Sequence, residues 1–196
     1  FNTALITTGG VVGTTAEGLH ELARAAASSG GSIGEAKETV LKLAESGKFT
    51  ATQIGFITKA LTLTEEATGK STESMLKDFE SIATLSVIAT NKSTDAVSKH
   101  ALVLNDHYHF LSAAQFEEIS RLEKVGQARE AINLLEEIYA TEAEKRAHKI
   151  LENVSDWTKG YRELKSAISE VIDAVGRVGT PAGVIEGKKG QLEISK

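Results

Sequence analysis

The chain has 196 residues and a mass of 20.8 kDa, the size of one domain or of one domain with an appendage. Hydrophobic residues make up 41%, charged residues 25% and aromatic residues only 5%, with a single Pro, which favours helices packed through small side chains over an aromatic-filled β-sandwich or barrel. A formal charge of −5 with both signs dispersed gives no basic footprint for nucleic acid, and the absence of Cys excludes disulfide frameworks, thiolate zinc sites and thiol catalysis.

No apolar run approaches the roughly 18 residues of a membrane-spanning helix, and no signal-peptide pattern is present. The start at Phe1 in place of Met leads to the expectation of a piece cut from a longer chain. In chain order, the first motif is Gly9-Gly-Val-Val-Gly13-Thr14-Thr15. It has the glycines of a phosphate loop but too short a spacing and no Lys to reach a terminal phosphate, so it reads as a turn into a helix capped by Thr14.

Helix starts then recur. Thr14-Thr-Ala-Glu17, Ser32-Ile-Gly-Glu35, Thr50-Ala-Thr-Gln53 and Ser112-Ala-Ala-Gln115 all fit the capping box, in which a hydroxyl accepts from a first-turn N–H and a Glu or Gln three residues on reaches back to the cap's own N–H. Gly30-Gly31, Gly47, Gly69 and Gly126 mark the stops. Between them apolar residues keep helical spacing: Leu19, Leu22, Ala23 and Ala26; Ile33, Ala36, Val40 and Ala44; Ile54, Ile57, Ala60 and Leu61. Leu76, Phe79, Ile82 and Ala83 continue the series, then Val97, Ala101, Leu104 and Tyr108, and last Phe116, Ile119 and Leu122. Helices of three to four turns do not stand alone in water, so this capped multi-helix module, residues 1–126, is expected to be a helical-hairpin bundle or short solenoid.

Residues 127–178 are expected to form a long coiled-coil-like helix. Starting at Ala140 and Ala143, apolar residues recur at Ala147, Ile150, Val154, Trp157, Tyr161, Leu164, Ile168, Val171, Val175 and Val178 in alternating steps of three and four. That 3.5-residue period keeps a seam facing a partner helix over roughly 58 Å of rise. The seam predicts self-association, with Trp157 and Tyr161 as its large interface residues; the structural rival is that it folds back on the module as an intramolecular helix. Gly160 and Gly176 are candidate kinks, and the Gly-rich residues 179–196 are expected to be flexible. The fold class is therefore all-α.

Candidate chemistry is sparse. His100, His107 and His109 are the only clustered imidazoles, with Asp106 beside them, fewer supporting ligands than a zinc site wants, so they read as a polar connection between helices. Glu65-Glu66, Glu117-Glu118 and Glu136-Glu137 are adjacent on helices and diverge by about 100°, so they read as solvated faces, with Glu117 beside Arg121 and Glu142 beside Arg146. No Gly-x-Ser-x-Gly elbow is present. No catalytic, cofactor or metal residue is assigned, and the chain is not expected to be an enzyme.

Thr8-Gly-Gly-Val-Val-Gly13-Thr-Thr15, then Leu43-Ala-Glu-Ser-Gly-Lys-Phe-Thr50-Ala-Thr-Gln-Ile54, Thr68-Gly69 and Phe110-Leu-Ser-Ala-Ala-Gln115 with Ile119, Leu122, Glu123 and Gly126, resemble in order and spacing the N-terminal region of lambda-type phage tail tape measure proteins. The resemblance covers most of residues 3–178, the Asn153–Trp157 stretch included. Two departures are Asn91-Lys-Ser-Thr-Asp95-Ala96, which lacks the family's Asp-Pro and leaves Ser93 as the expected cap, and Gly13-Thr14-Thr15 in place of Gly-Leu-Thr. The resemblance implies a structural prophage or phage protein that fixes tail length inside the lumen of the tail tube, is assembled in the bacterial cytoplasm with tail assembly chaperones and the tail tube protein, and leaves with the DNA at infection. It implies no cofactor. The competing readings are a non-enzymatic helical adaptor and a helical enzyme or metal protein using the three histidines.

Overall fold

The computed structural model describes the backbone of residues 1–10, 12–89 and 95–179; within these, side chains are described up to residue 158 except at 87–89, and beyond it only at 160, 161, 163, 164 and 168. The described residues contain eight helices and no strand: α1 (Asn2–Thr7), α2 (Ala16–Ser29), α3 (Ile33–Ser46), α4 (Ala51–Thr68), α5 (Glu73–Ala89), α6 (Ala96–Tyr108), α7 (Ala113–Lys124) and α8 (Ala128–Gly179). None of them is long and apolar enough to cross a membrane.

Three of the expected caps close as complete boxes. Ser32 and Glu35 start α3, Thr50 and Gln53 start α4, and Ser112 and Gln115 start α7. The fourth is displaced by one residue: Thr15, not Thr14, caps α2, its hydroxyl accepting from the Gly18 N–H at 3.1 Å. With Thr15 at the cap, Glu17 stands two positions on and Gly18 holds the third, so the reciprocal half of the box has no side chain to make it. Asp95 occupies the cap position of α6 without a side-chain hydrogen bond, and the expected cap Ser93 lies outside the described residues. Gly47 and Gly69 end α3 and α4 in the left-handed conformation that lacks a Cβ penalty.

By its contacts the chain divides into two units, Phe1–Leu151 and Glu152–Lys196. In the first unit α2, α3 and α4 each pack on the other two, with α1 against α3, so this part is a bundle and not a solenoid stack. Its interior is the predicted stripes: Leu19, Ala23, Ala26, Ala36, Val40, Ala44, Ile54, Ile57, Ala60 and Leu61 are all buried. Ile33, in the first turn of α3, is exposed instead. The small side chains let the backbones close up; a Cβ on Gly31 (φ +80°) would stand 2.6 Å from Thr62 Cγ2. α5 packs on α4 and on α6, and α6 on α7.

Residues 128–151 of α8 belong to this unit, contributing Ala131, Ile132, Leu135, Tyr139 and Ala140 to the same core as Phe79, Ile82 and Ile119. In the second unit the chain is helical as far as Gly179, continuing as helix through Gly160 and Gly176. The expectation of a flexible tail falls on residues of which 180–196 lie outside those described.

Candidate functional site

The seam predicted from the heptad pattern falls on both units. In the first, Ala147 is buried and Ile150 is 37% exposed. In the second, Val154, Trp157, Tyr161, Leu164 and Ile168 are all at least half exposed, Trp157 the most at 73%. The Trp157 and Tyr161 rings stack with centroids 5.8 Å apart and planes 10° from parallel, the arrangement that a four-residue step on one helical face produces. Val171 and Val175 have side chains outside the described set.

The three histidines go separate ways. His100 Nε2 and Ser81 Oγ lie 2.9 Å apart, and burial holds this imidazole below its ordinary value against the pull of the Asp78 carboxylate. His107 packs edge-on to the Tyr108 ring. His109 takes the left-handed conformation (φ 48°) after α6 and lends its carbonyl to Arg146 Nη2 at 3.0 Å. No group of three or more His, Asp or Glu among the described residues is arranged to hold a metal ion.

Several acidic residues are not where the spacing put them. Arg121 pairs with Glu118 (Nε to Oε2, 2.8 Å) and not with Glu117; Glu142 pairs with Lys145 at 2.6 Å, leaving Arg146 to His109. More consequentially, three acids join helices, Glu123 and Glu136 buried and Asp78 half-buried. Glu123, at the end of α7, accepts from the backbone N–H groups of Val97 (2.8 Å) and Ser98 (3.0 Å) and from the Ser98 hydroxyl (2.6 Å). It thus caps α6 from another helix, supplying what Asp95 does not. Asp78 Oδ2 accepts from the hydroxyls of Tyr108 (2.8 Å) and Tyr139 (2.9 Å), within a cluster of rings that also holds Phe79 and Phe110. Burial, then the nearby Asp78 charge, raises the Tyr139 phenol above its usual range, so it stays a donor.

Glu136 is the third. It is fully buried, its Oε2 accepts from Gln53 Nε2 at 2.6 Å, and its Oε1 has no hydrogen-bond partner. Burial pushes this carboxyl up to about 7, with the Gln53 bond opposing. Gln53 also donates to Asn133 Oδ1 at 3.2 Å while its own Oε1 completes the Thr50 cap, so one side chain joins the start of α4 to α8. Beside it lies a concavity of about 250 Å³ whose lining includes Lys48, Arg129 and Glu137.

All three acids carry a signal that the reading of paired glutamates passed over. Glu136 sits four residues after Ile132 and three before Tyr139; Glu123 sits four after Ile119; Asp78 sits three after Met75 and four before Ile82. Each lies on the apolar face of its own helix, where a charge needs a partner.

Glu123, Asp78 and Glu136 thus join one helix to another in an all-α chain. The chain belongs to the prophage tail length tape measure protein family, whose pattern matches residues 1–120. It is 26% identical over 175 residues to the tape measure protein of Pseudomonas phage PAJU2, an alignment that covers 89% of this chain and 18% of that protein's length. No solved structure matches it. The family is a structural one of phage tails, and the first expectation drawn from the motif order is met.

Proposed function

We propose that the chain is a segment of a tape measure that sets tail length within the lumen of the tail tube, assembled in the bacterial cytoplasm with tail assembly chaperones and tube protein and released with DNA at infection. It does so without a reaction centre. The observation that carries this reading is the family match over residues 1–120. A helix adds about 1.5 Å per residue, which suits a ruler. Of the expected seam Ala147, Ile150, Val154, Trp157, Tyr161, Leu164, Ile168, Val171 and Val175, we place self-association on the stretch from Val154 onward, supported by the exposure of the five apolar residues from Val154 to Ile168, since Ala147 is buried in the first unit.

Two measurements test it. Removing 14 residues, two heptads, from the seam in the phage or prophage that encodes the chain should shorten tails by about 21 Å in averaged electron micrographs if the segment is part of the ruler. Tails of unchanged length overturn that role. Light scattering of the purified chain at several concentrations should show a mass rising above 20.8 kDa, and Trp157→Asp should return it to the monomer. A chain that stays monomeric at high concentration removes the seam as an oligomer contact.

A further inference from the structure

The first unit carries a groove that the tape-measure reading does not require and that takes in only Ala147 and Ile150 of the expected seam. It measures about 170 Å³ and runs between the C-terminal half of α4, the first turn of α5, the end of α6 with Phe110, and α8 from Tyr139 to Ile150. That is about the volume of an apolar cavity able to hold one benzene ring. Its surface is nearly all carbon, for a reason visible in the surroundings: Tyr108 and Tyr139 spend their hydroxyls on Asp78, leaving ring carbon to the groove. Tyr108 and Phe110 stand 5.4 and 5.1 Å from the Tyr139 ring, so the wall is held by mutual aromatic packing.

Two polar features break the apolar wall. Thr64 Oγ1 is screened from solvent and has no hydrogen-bond partner. Arg146 is the one charged residue in the lining; one donor goes to the His109 carbonyl, and among the described residues no carboxylate pairs with the guanidinium. Lys149, one turn along α8, is exposed. An apolar hole whose lining contributes only a cation selects locally for an anion beside the apolar group.

We propose that this groove is the docking site for a partner protein segment that presents one aromatic or leucine side chain to Tyr108, Phe110, Tyr139 and Met75 and a neighbouring carboxylate to Arg146. The apolar anchor supplies affinity by filling a pre-formed hole, and the carboxylate sets orientation through the free edge of the guanidinium. The occupant is an acidic segment, since a basic one would bring a second cation against Arg146.

Met75 is the single methionine of the chain and lines the groove, so ¹³C-methyl-methionine labelling of the full chain gives one NMR line that reports on it. The probes are 3-phenylpropionate and its charge-inverted analogue 3-phenylpropylammonium. The Met75 line should move saturably with the carboxylate, and the ammonium compound should bind about three- to fivefold more weakly, the size of a partly exposed ion pair. Arg146→Gln, a change at the groove edge, should bring the two probes to within about twofold while the line still moves, separating the apolar and ionic contributions. Ala143→Leu should block both by filling the groove, with far-ultraviolet circular dichroism confirming the helices. A Met75 line that ignores both probes, or moves equally with both in the unsubstituted chain, overturns the proposal. A line that shifts with protein concentration before any probe is added assigns the groove to a second copy of the chain and overturns it too. Neither result bears on the tail-length measurement.

Discussion

Glu136 makes the stability of the first unit depend on pH in the direction opposite to most carboxylates. In the folded chain it holds its proton up to about 7, because ionisation would leave a buried charge with one hydrogen bond from Gln53 and an unpartnered Oε1. In the unfolded chain it ionises near the ordinary 4.5. Between those values the folded state binds more protons than the unfolded one, so stability falls as pH rises. Below about 4.5 the penalty is absent; above about 7 it is complete. At ~1.4 kcal/mol per pH unit the displacement amounts to about 3 kcal/mol at most. Lys48, Arg129 and Glu137, which line the neighbouring concavity, are common to both chains, so the comparison of variants measures the ionisation of Glu136 together with its interaction with them. The clean assay is therefore urea unfolding of the natural chain and of Glu136→Gln, from pH 4 to 8.5. The glutamine keeps an acceptor for Gln53 and cannot ionise. The variant should gain stability over the natural chain progressively between pH 4.5 and 7, by up to about 3 kcal/mol, and the gain should then level off. A difference that is flat across that range, or that shrinks as pH rises, refutes the account of a buried neutral acid.

Other perturbations have equally specific outcomes. Glu123→Ala strands two backbone donors and the Ser98 hydroxyl at the start of α6; urea midpoints should report a loss of about 2–4 kcal/mol, and hydrogen exchange should rise first at Val97 and Ser98. Asp78→Ala leaves both tyrosine hydroxyls without their acceptor and opens space, with an expected loss of about 2–3 kcal/mol and a Tyr139 phenol that titrates at lower pH in ultraviolet absorbance. Gly69→Ala should cost about 1 kcal/mol in thermal unfolding, because only the left-handed backbone resists a Cβ that meets nothing. Gly31→Ala should cost more than Gly69→Ala, since its Cβ also runs into Thr62.

Much of the fold is legible because its signals are local. A Ser or Thr followed three residues later by Glu or Gln fixes a helix start through contacts within one turn, and three of four such starts form as expected. Thr14 and Thr15 offer two adjacent hydroxyls, and the choice between them depends on how the preceding glycine turn delivers the chain, which spacing alone does not encode. The stripes buried in α2, α3 and α4 are likewise one-helix properties. What was not legible is which helix meets which. The heptad pattern leaves open whether the seam meets a second chain or the module itself, because it marks an apolar face without marking its occupant; Ala140 and Ala147 are buried within the first unit. Reading glutamate pairs by the divergence of neighbours missed Glu136, because burial is decided by residues three and four away.

The buried polar groups also answer a question that the apolar core leaves open: what fixes α8 lengthwise against the helices of the first unit. Along the inner face of α8 alanine at 131, 140, 143 and 147 is interspersed with the larger Ile132, Leu135 and Tyr139, and the alanines discriminate poorly between registers one turn apart. The polar contacts discriminate well. Gln53 reaches Asn133 and Glu136, Asp78 takes the Tyr139 hydroxyl, Lys59 pairs with Glu144 at 2.7 Å, and Arg146 holds the His109 carbonyl. Sliding α8 by four residues would set Ala140 against Gln53 and Ala143 against Asp78. Two half-buried polar groups would lose partners at about 1–3 kcal/mol each, and the same slide would set Leu135 where Ala131 sits and Glu136 where Ile132 sits, so the apolar packing opposes it as well. A buried acid near neutrality is a poor stabiliser but a good register mark, the use for which buried polar groups are best attested.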